Sequence, residues 1–261
     1  MSDTPPTLVT LDIADGVATL RLNRPERHNS LVPDLTDDLL EQLEWIEAER
    51  DLVAVVLAAN GRSFSTGGDV RAFYDQTDIA FYADFLVGQL NRAILRLLDL
   101  PVPVICRLHG PITGGSLGLM LACDMVVAAP RAFLAPYYVE VGFSPDGGWS
   151  ALLPDRIGAH RARHIQLLNQ HLSADEMLAL GLVDRVADDP DAVIAAWITA
   201  LRKKAPLGLR ATKARLLPPE VRERYAEGLE AERTAFVAQV ADPAVRRGME
   251  RFLGLASNEA G

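Results

Sequence analysis

Two cysteines in 261 residues, Cys106 and Cys123, exclude a disulfide framework. Both lie in apolar stretches without metal-type spacing and read as buried thiols of a reducing compartment. Long hydrophobic runs are missing too. VAVVLAA at 53–59 is far shorter than the roughly 18 residues a membrane span needs. Positive charge is scarce: 26 Lys and Arg face 35 Asp and Glu, a net charge of −9. That sign argues against a nucleic-acid partner, and a polyanionic ligand would have to meet a local basic cluster. The opening residues MSDTPPTLVT have neither the basic nor the apolar part of a secretory leader. These absences together predict a cytoplasmic protein with no membrane partner. There is no Gly-Lys-Ser/Thr P-loop, no G-x-G-x-x-G fingerprint and no repeat of solenoid period.

The patterns that are present describe an α/β chain. LVTLDIADGVATLRLNR alternates on both sides of Asp15-Gly16, a hairpin signal. Leu35, Leu39, Leu43 and Ile46 share one face of a helix. The run 52–59 is apolar throughout, as suits a strand covered on both faces. A helix over about 78–99, a strand at 102–110, a helix at SLGLMLACD and a strand at 125–129 follow. This alternation predicts crossover connections and a largely parallel sheet. Beyond about residue 160 the pattern is almost wholly helical. The expected division is an α/β core over 1–195 and a helical region over 196–261.

Two segments carry the same chemical character. Ser63-Phe64-Ser65-Thr66-Gly67-Gly68-Asp69 and His109-Gly110-Pro111-Ile112-Thr113-Gly114-Gly115-Ser116 each follow a strand and open a helix. Glycines there let a ligand approach the main chain, and the helix start leaves N–H groups unpaired. Two such turns facing one point make an oxyanion site.

The motifs LNRPERHNSL, SFSTGGD, HGPITGGSLGLMLACD, VGFSPDGG, LPDRIG and SADEMLALGLVDRV, in this order, resemble the successive signatures of the enoyl-CoA hydratase/isomerase (crotonase) family. The likeness runs from about residue 8 to 256. It implies a ββα spiral core with a helical C-terminal trimerisation region, assembled as a homotrimer or a dimer of trimers. It also implies an acyl-CoA thioester substrate, coenzyme A arriving as part of the substrate and no separate cofactor or metal being needed. By the same resemblance, the N–H groups of Thr66 and Gly115 hold the thioester oxygen, and Gly67, Gly68, Asp69 and Gly114 shape the site. Arg24, Arg27 and Arg62 are the nearest basic residues for the coenzyme A phosphates, with Lys203, Lys204, Arg210, Lys213 and Arg215 as a second basic stretch.

Departures from the family pattern decide the expected reaction. Hydratases of the family carry glutamates at two positions that here hold Gly118 and Tyr138. Asp146 instead matches an acid found in Δ3,Δ2-enoyl-CoA isomerases and in isomerising enzymes of phenylacetate breakdown. One base suffices for a 1,3-proton shift, so a double-bond isomerase using Asp146 is expected. A hydratase or thioester hydrolase on the same oxyanion hole, and a non-catalytic acyl-CoA-binding homologue, are the alternatives. Asp146 as a helix N-cap is the structural alternative for that residue. Glu140 is expected on the surface and His109 in a structural role. Tyr137, Tyr138, Phe143 and Trp149 are candidates to line an acyl pocket.

Overall fold

The computed structural model describes residues 7–255. The segment 1–6, read above for a leader, lies outside the described residues. Strands β1 (Val9–Ala14) and β2 (Val17–Leu22) pair antiparallel about Asp15-Gly16, with Val9 opposite Leu22. The chain then crosses through α1 (Pro33–Ala48) to β3 (Ala54–Ala59), which lies parallel to β2. Helices α2 (Val70–Tyr74) and α3 (Ile79–Asp99) lead to β4 (Val104–Leu108). Beyond it come β5 (Ile112–Thr113), α4 (Leu117–Leu121), β6 (Met125–Ala128), β7 (Phe133–Ala135), α5 (Tyr138–Val141), α6 (Leu153–Ile157), α7 (Ala159–Leu167), β8 (Leu172–Ser173), α8 (Ala174–Ala179), β9 (Arg185–Val186), α9 (Pro190–Arg202) and α10 (Pro206–Leu216).

The main sheet has the order β1-β2-β3-β4-β6-β9, and only its first pair is antiparallel. The expected parallel core is therefore present. Its inner strands β3, β4 and β6 are largely apolar because both faces are covered. Val55, Leu57, Val104 and Cys106 point into the large core with Leu35, Leu39 and Leu43 of α1 and Leu90 and Ile94 of α3. Ala54, Val56, Ile105 and Val127 point the other way, against Ile194 and Trp197 of a helix over Pro190–Arg202. A second, three-stranded sheet, β5-β7-β8, stands behind the second glycine turn. Both cysteines are buried and unpaired. Among the described residues, no helix is long and apolar enough to cross a membrane.

The C-terminal region packs back on its own chain. Helix α11 (Pro219–Val240) lies along α3, where Asn91 Nδ2 donates to the Leu229 carbonyl at 2.9 Å and Arg233 pairs with Asp84. Helix α12 (Pro243–Phe252) follows it and packs against the short helix Tyr138–Val141. The Cα of Gly248 lies so near that an added Cβ would be 1.7 Å from the Val141 carbonyl oxygen.

Candidate functional site

The two glycine turns meet side by side. Phe64 and Ser65 N–H both donate to the Pro111 carbonyl, and Thr113 N–H donates to Ser65 O at 3.1 Å. Ser116 Oγ bridges the turns through the carbonyls of Ser65 and Thr113. The loop 24–31 clamps them from outside. Asn29 Nδ2 donates to the carbonyls of Asn60 and Ser63, and Ser65 Oγ donates to Asn29 O. Gly67 has φ +73°, and a Cβ there would lie 2.8 Å from Thr113 O, so only glycine permits this approach.

Which N–H groups remain free follows from this bonding. Thr66 N–H donates to the His28 carbonyl at 3.2 Å, and Asp69 N–H donates to Leu31 O at 3.0 Å. Leu31 N–H in turn donates to Gly67 O, so the intervening Gly68 N–H faces away from that ladder. Among the described residues it has no partner. Gly115 stands in the first turn of a short helix, where N–H groups have no partner inside the helix. Gly68 and Gly115 both line a cavity of about 800 Å³. Thr66 lines it too, but its N–H is already taken.

Beside Gly115 lies Asp146. A Cβ added to Gly115 would lie 2.9 Å from Asp146 Oδ1 and 3.1 Å from Oδ2. The carboxyl is buried and accepts from the Tyr138 hydroxyl on Oδ1 at 2.5 Å. Burial pushes the Asp146 carboxyl up to about 7, against the lowering effect of the Tyr138 hydrogen bond and with the charge of Glu232 adding to the rise. Tyr138 is itself pushed well up, chiefly by burial and then by the charge of Asp146, so it stays protonated as a donor. No helix begins at Gly147. The next one is Leu153–Ile157, with Leu152 at its N-cap position, so Asp146 does not serve as an N-cap.

Apolar rings close the cavity around this carboxyl. Phe73, Phe143 and Phe236 pack with centroids 5.0–5.8 Å apart, and Leu86 and Val141 complete the wall. Tyr137 and Tyr138 also line it. Trp149 stands behind the wall, fully buried, and donates its indole N–H to Gly114 O at 2.8 Å. Basic groups line the cavity where it reaches the surface. Arg27 is half exposed, and Arg62 lies 3.1 Å from the ring of His28.

The chain and its fold have counterparts among known proteins. Residues 12–256 match the family model described as enoyl-CoA hydratase/isomerase. The chain belongs to this family. It is 33% identical over 185 residues to a 4-chlorobenzoyl coenzyme A dehalogenase of an Arthrobacter species, covering 70% of this chain and 67% of that one. It is 35% identical over 179 residues, 68% of each chain, to the 1,2-epoxyphenylacetyl-CoA isomerase of Escherichia coli. Among solved structures, an enoyl-CoA hydratase from Bacillus halodurans superposes with a TM-score of 0.88 at 25% identity, covering 94% of this chain and 99% of that one.

Within this crotonase fold the remaining candidates take distinct places. Asp69 is tied to Arg24 at 2.9 Å and Arg27 at 3.3 Å and caps α2 through Ala72 N–H. Burial would raise its carboxyl, but the Arg24 bond, the Ala72 N–H and the two charges together hold it low. Arg24 does not line the cavity, since its guanidinium is taken up by Asp69 and Ser30. Gly67 is withdrawn behind Gly68, whereas Gly114 reaches the cavity. The basic residues of 203–215 lie away from it. Lys213, for example, pairs with Asp124 at 2.7 Å. Glu140 is exposed and accepts from Asn169 at 3.3 Å. His109 is buried outside the cavity, its Nε2 2.9 Å from Gly61 O, and burial lowers its pKa and keeps it neutral.

Position 118, where hydratases of the family carry a glutamate, is filled by the Asp146 loop. A Cβ on Gly118 would lie 2.4 Å from Gly147 O and 2.4 Å from Ile94 Cδ1. Sequence reasoning also missed Glu232 and Phe236. Both come from α11, and they supply a buried carboxylate behind the Asp146 loop and one wall of the acyl end.

Proposed function

We propose that this protein shifts a carbon–carbon double bond within an acyl-CoA thioester. The observation that carries the reading is the buried carboxyl of Asp146, held by Tyr138 beside the free N–H of Gly115 in a largely apolar pocket, whose other buried carboxyl, Asp69, is tied up by Arg24 and Arg27. The thioester oxygen lies between the N–H groups of Gly68 and Gly115, with Gly68 taking the place expected for Thr66. Asp146 accepts a proton from C2 of a 3-enoyl thioester, and the C–H electron pair passes to the thioester oxygen as a dienolate. The same carboxyl returns the proton at C4, leaving the 2-enoyl product, so no other reactant is consumed. Two fixed donors favour the enolate over the ground state, each worth about 3 kcal/mol of barrier. A base near 7 suits proton transfer at neutral pH. Arg27 and Arg62 at the mouth suit the phosphates of coenzyme A through their forked donors. The assembly proposed with this reading is a homotrimer or a dimer of trimers.

The test is a panel of 2-enoyl, 3-enoyl, 3-hydroxyacyl and 4-chlorobenzoyl thioesters, with products read by mass and by absorbance of the conjugated thioester. A shift of absorbance without change of mass is expected. Gain of one water, release of free coenzyme A or release of chloride would each move the assignment to a different reaction of the same site. Binding without turnover would leave a non-catalytic homologue.

The backbone donors make a further prediction. Thr66→Ala is expected to retain most activity, because the oxyanion donors are backbone groups and the N–H of Thr66 is already taken by the His28 carbonyl. Gly115→Val is expected to abolish it, since the new side chain would press on the Asp146 carboxyl and on Leu90. Steady-state rates of the two variants check this. An inactive, folded Thr66→Ala would place the chemistry on the hydroxyl.

A further inference from the structure

Glu232 is 4% exposed, yet no cation pairs with it among the described residues. Its neighbour Arg233 turns away to Asp84 and Glu230. A buried carboxylate in that position needs hydrogen-bond donors, and it has four. Oε2 accepts from Gly148 N–H at 2.7 Å. Oε1 accepts from Ser150 N–H at 2.5 Å, Ser150 Oγ at 2.7 Å and Ala151 N–H at 2.9 Å. All four donors belong to the turn that directly follows Asp146. That turn has no helix of its own to satisfy its N–H groups, and Gly147 and Gly148 both have positive φ. Without an acceptor from elsewhere, the buried Gly148 N–H would be orphaned, the partly buried N–H groups of Ser150 and Ala151 would lose their partner, and the turn would be free to lift off Gly115 and Gly118.

We infer that Glu232 is the positioning residue of the acid–base site: its carboxylate seats the 148–151 turn that holds Asp146 beside Gly115, and its negative charge acts on the Asp146 carboxyl. This rests on the reading of Asp146 as the base. The titratable groups facing Asp146 are Tyr138, which donates to it, and Glu232 from α11. Those facing Glu232 are neutral donors of residues 148–151, with Tyr138 and Asp146 beyond them. The α3 side chains nearest the loop, Leu90 and Ile94, carry no charge. Like charge therefore reaches Asp146 from one direction only, and it disfavours loss of the proton. Phe236 sits one turn further along the same face of α11 and walls the acyl end, so one helix sets both the base and the pocket that receives the substrate.

The experiment uses the full chain with Glu232→Gln and Glu232→Asp. Glutamine removes the charge and turns an amide N–H₂ toward Gly148 N–H or the Ser150 and Ala151 donors, whichever way it faces. A fall in kcat by a factor on the order of 10² is expected from the displaced base, with KM nearly unchanged. The acid limb of the rate profile is expected to move to lower pH. Carbon-13 NMR titration of the Asp146 carboxyl is expected to move the same way, and it needs no turnover. Aspartate keeps the charge on a shorter arm, so a reduced kcat with a parent-like Asp146 titration is expected. A folded glutamine variant with parent kcat and parent titration overturns the inference. If that variant does not fold, full kcat in the aspartate variant overturns it instead. Failure of the base assignment reads differently: Asp146→Asn would keep its rate while, in chains that retain Asp146, its titration still responded to Glu232→Gln.

Discussion

Asp146→Asn is expected to lower turnover by a factor on the order of 10² to 10⁴, the usual worth of a positioned general base, while stabilising the fold above neutrality. Asparagine keeps the shape and can still accept from Tyr138, but it cannot take a proton. Thioester binding should change little, because the N–H groups of Gly68 and Gly115 and the arginines at the mouth are untouched. The stability gain follows from the raised carboxyl. The folded value of about 7 lies above the ordinary value of about 3.9. Between these two limits the folded state binds more protons than the unfolded state, so stability falls as pH rises. Asparagine escapes that loss. The difference in melting temperature should vanish near the ordinary carboxyl value and reach its full size above about 7, worth on the order of a few kcal/mol. For the parent enzyme, kcat/KM should rise with pH through about 7 as the base becomes ionised. Glu140→Gln should match the parent, since Glu140 is exposed and bonds only to Asn169. An active Asp146→Asn beside an inactive Glu140→Gln would remove Asp146 from the chemistry.

The sheet and its crossings were legible because periodicity reports burial directly. The all-apolar run 52–59, stopped by Asn60-Gly61, reads as a strand covered on both faces, and β3 over Ala54–Ala59 is that strand. The glycine turns were legible as a pair, since close backbone approach leaves no other residue type. Which N–H stayed free was not. That depends on loop 24–31, whose carbonyls at His28 and Leu31 take the N–H groups of Thr66 and Asp69 and leave Gly68 facing the cavity. Sequence proximity does not reveal that Arg24 is taken up by Asp69, its partner 45 residues away. Glu232 was hidden for the same reason, its donors lying 81–84 residues earlier in the chain. One signal was present. Leu229, Glu232, Phe236 and Val240 fall at helical spacing on one buried face of α11, and a charge on an apolar stripe asks for a reason.

Restoring the hydratase glutamate by Gly118→Glu is expected to destroy activity and to yield no hydration. Even the Cβ has no place, at 2.4 Å from the Gly147 carbonyl oxygen and from Ile94 Cδ1. Ile94 is fully buried, and the Gly147 backbone is confined in turn. Gly147 has φ +62°, a Cβ on it would lie 2.1 Å from Gly115 O, and the next residue is bound to Glu232. The loop can yield only by lifting Asp146 off Gly115. Overpacking of this kind costs about 1–3 kcal/mol. The new carboxyl would also be buried near Asp146, with Glu232 behind the same loop, and like charges there disfavour ionisation. Gly118→Ala should already impair turnover, with a smaller loss of melting temperature, because the steric conflict begins at Cβ. Calorimetry and the rate of water addition to a 2-enoyl thioester measure both effects. A stable Gly118→Glu protein that hydrates its substrate would mean that the Asp146 loop and a glutamate at 118 can coexist. The glutamate's absence would then have a cause other than packing. If the two are exclusive, the loop that delivers Asp146 to the thioester is itself what removed the water-activating acid, and a single substitution cannot exchange one chemistry for the other.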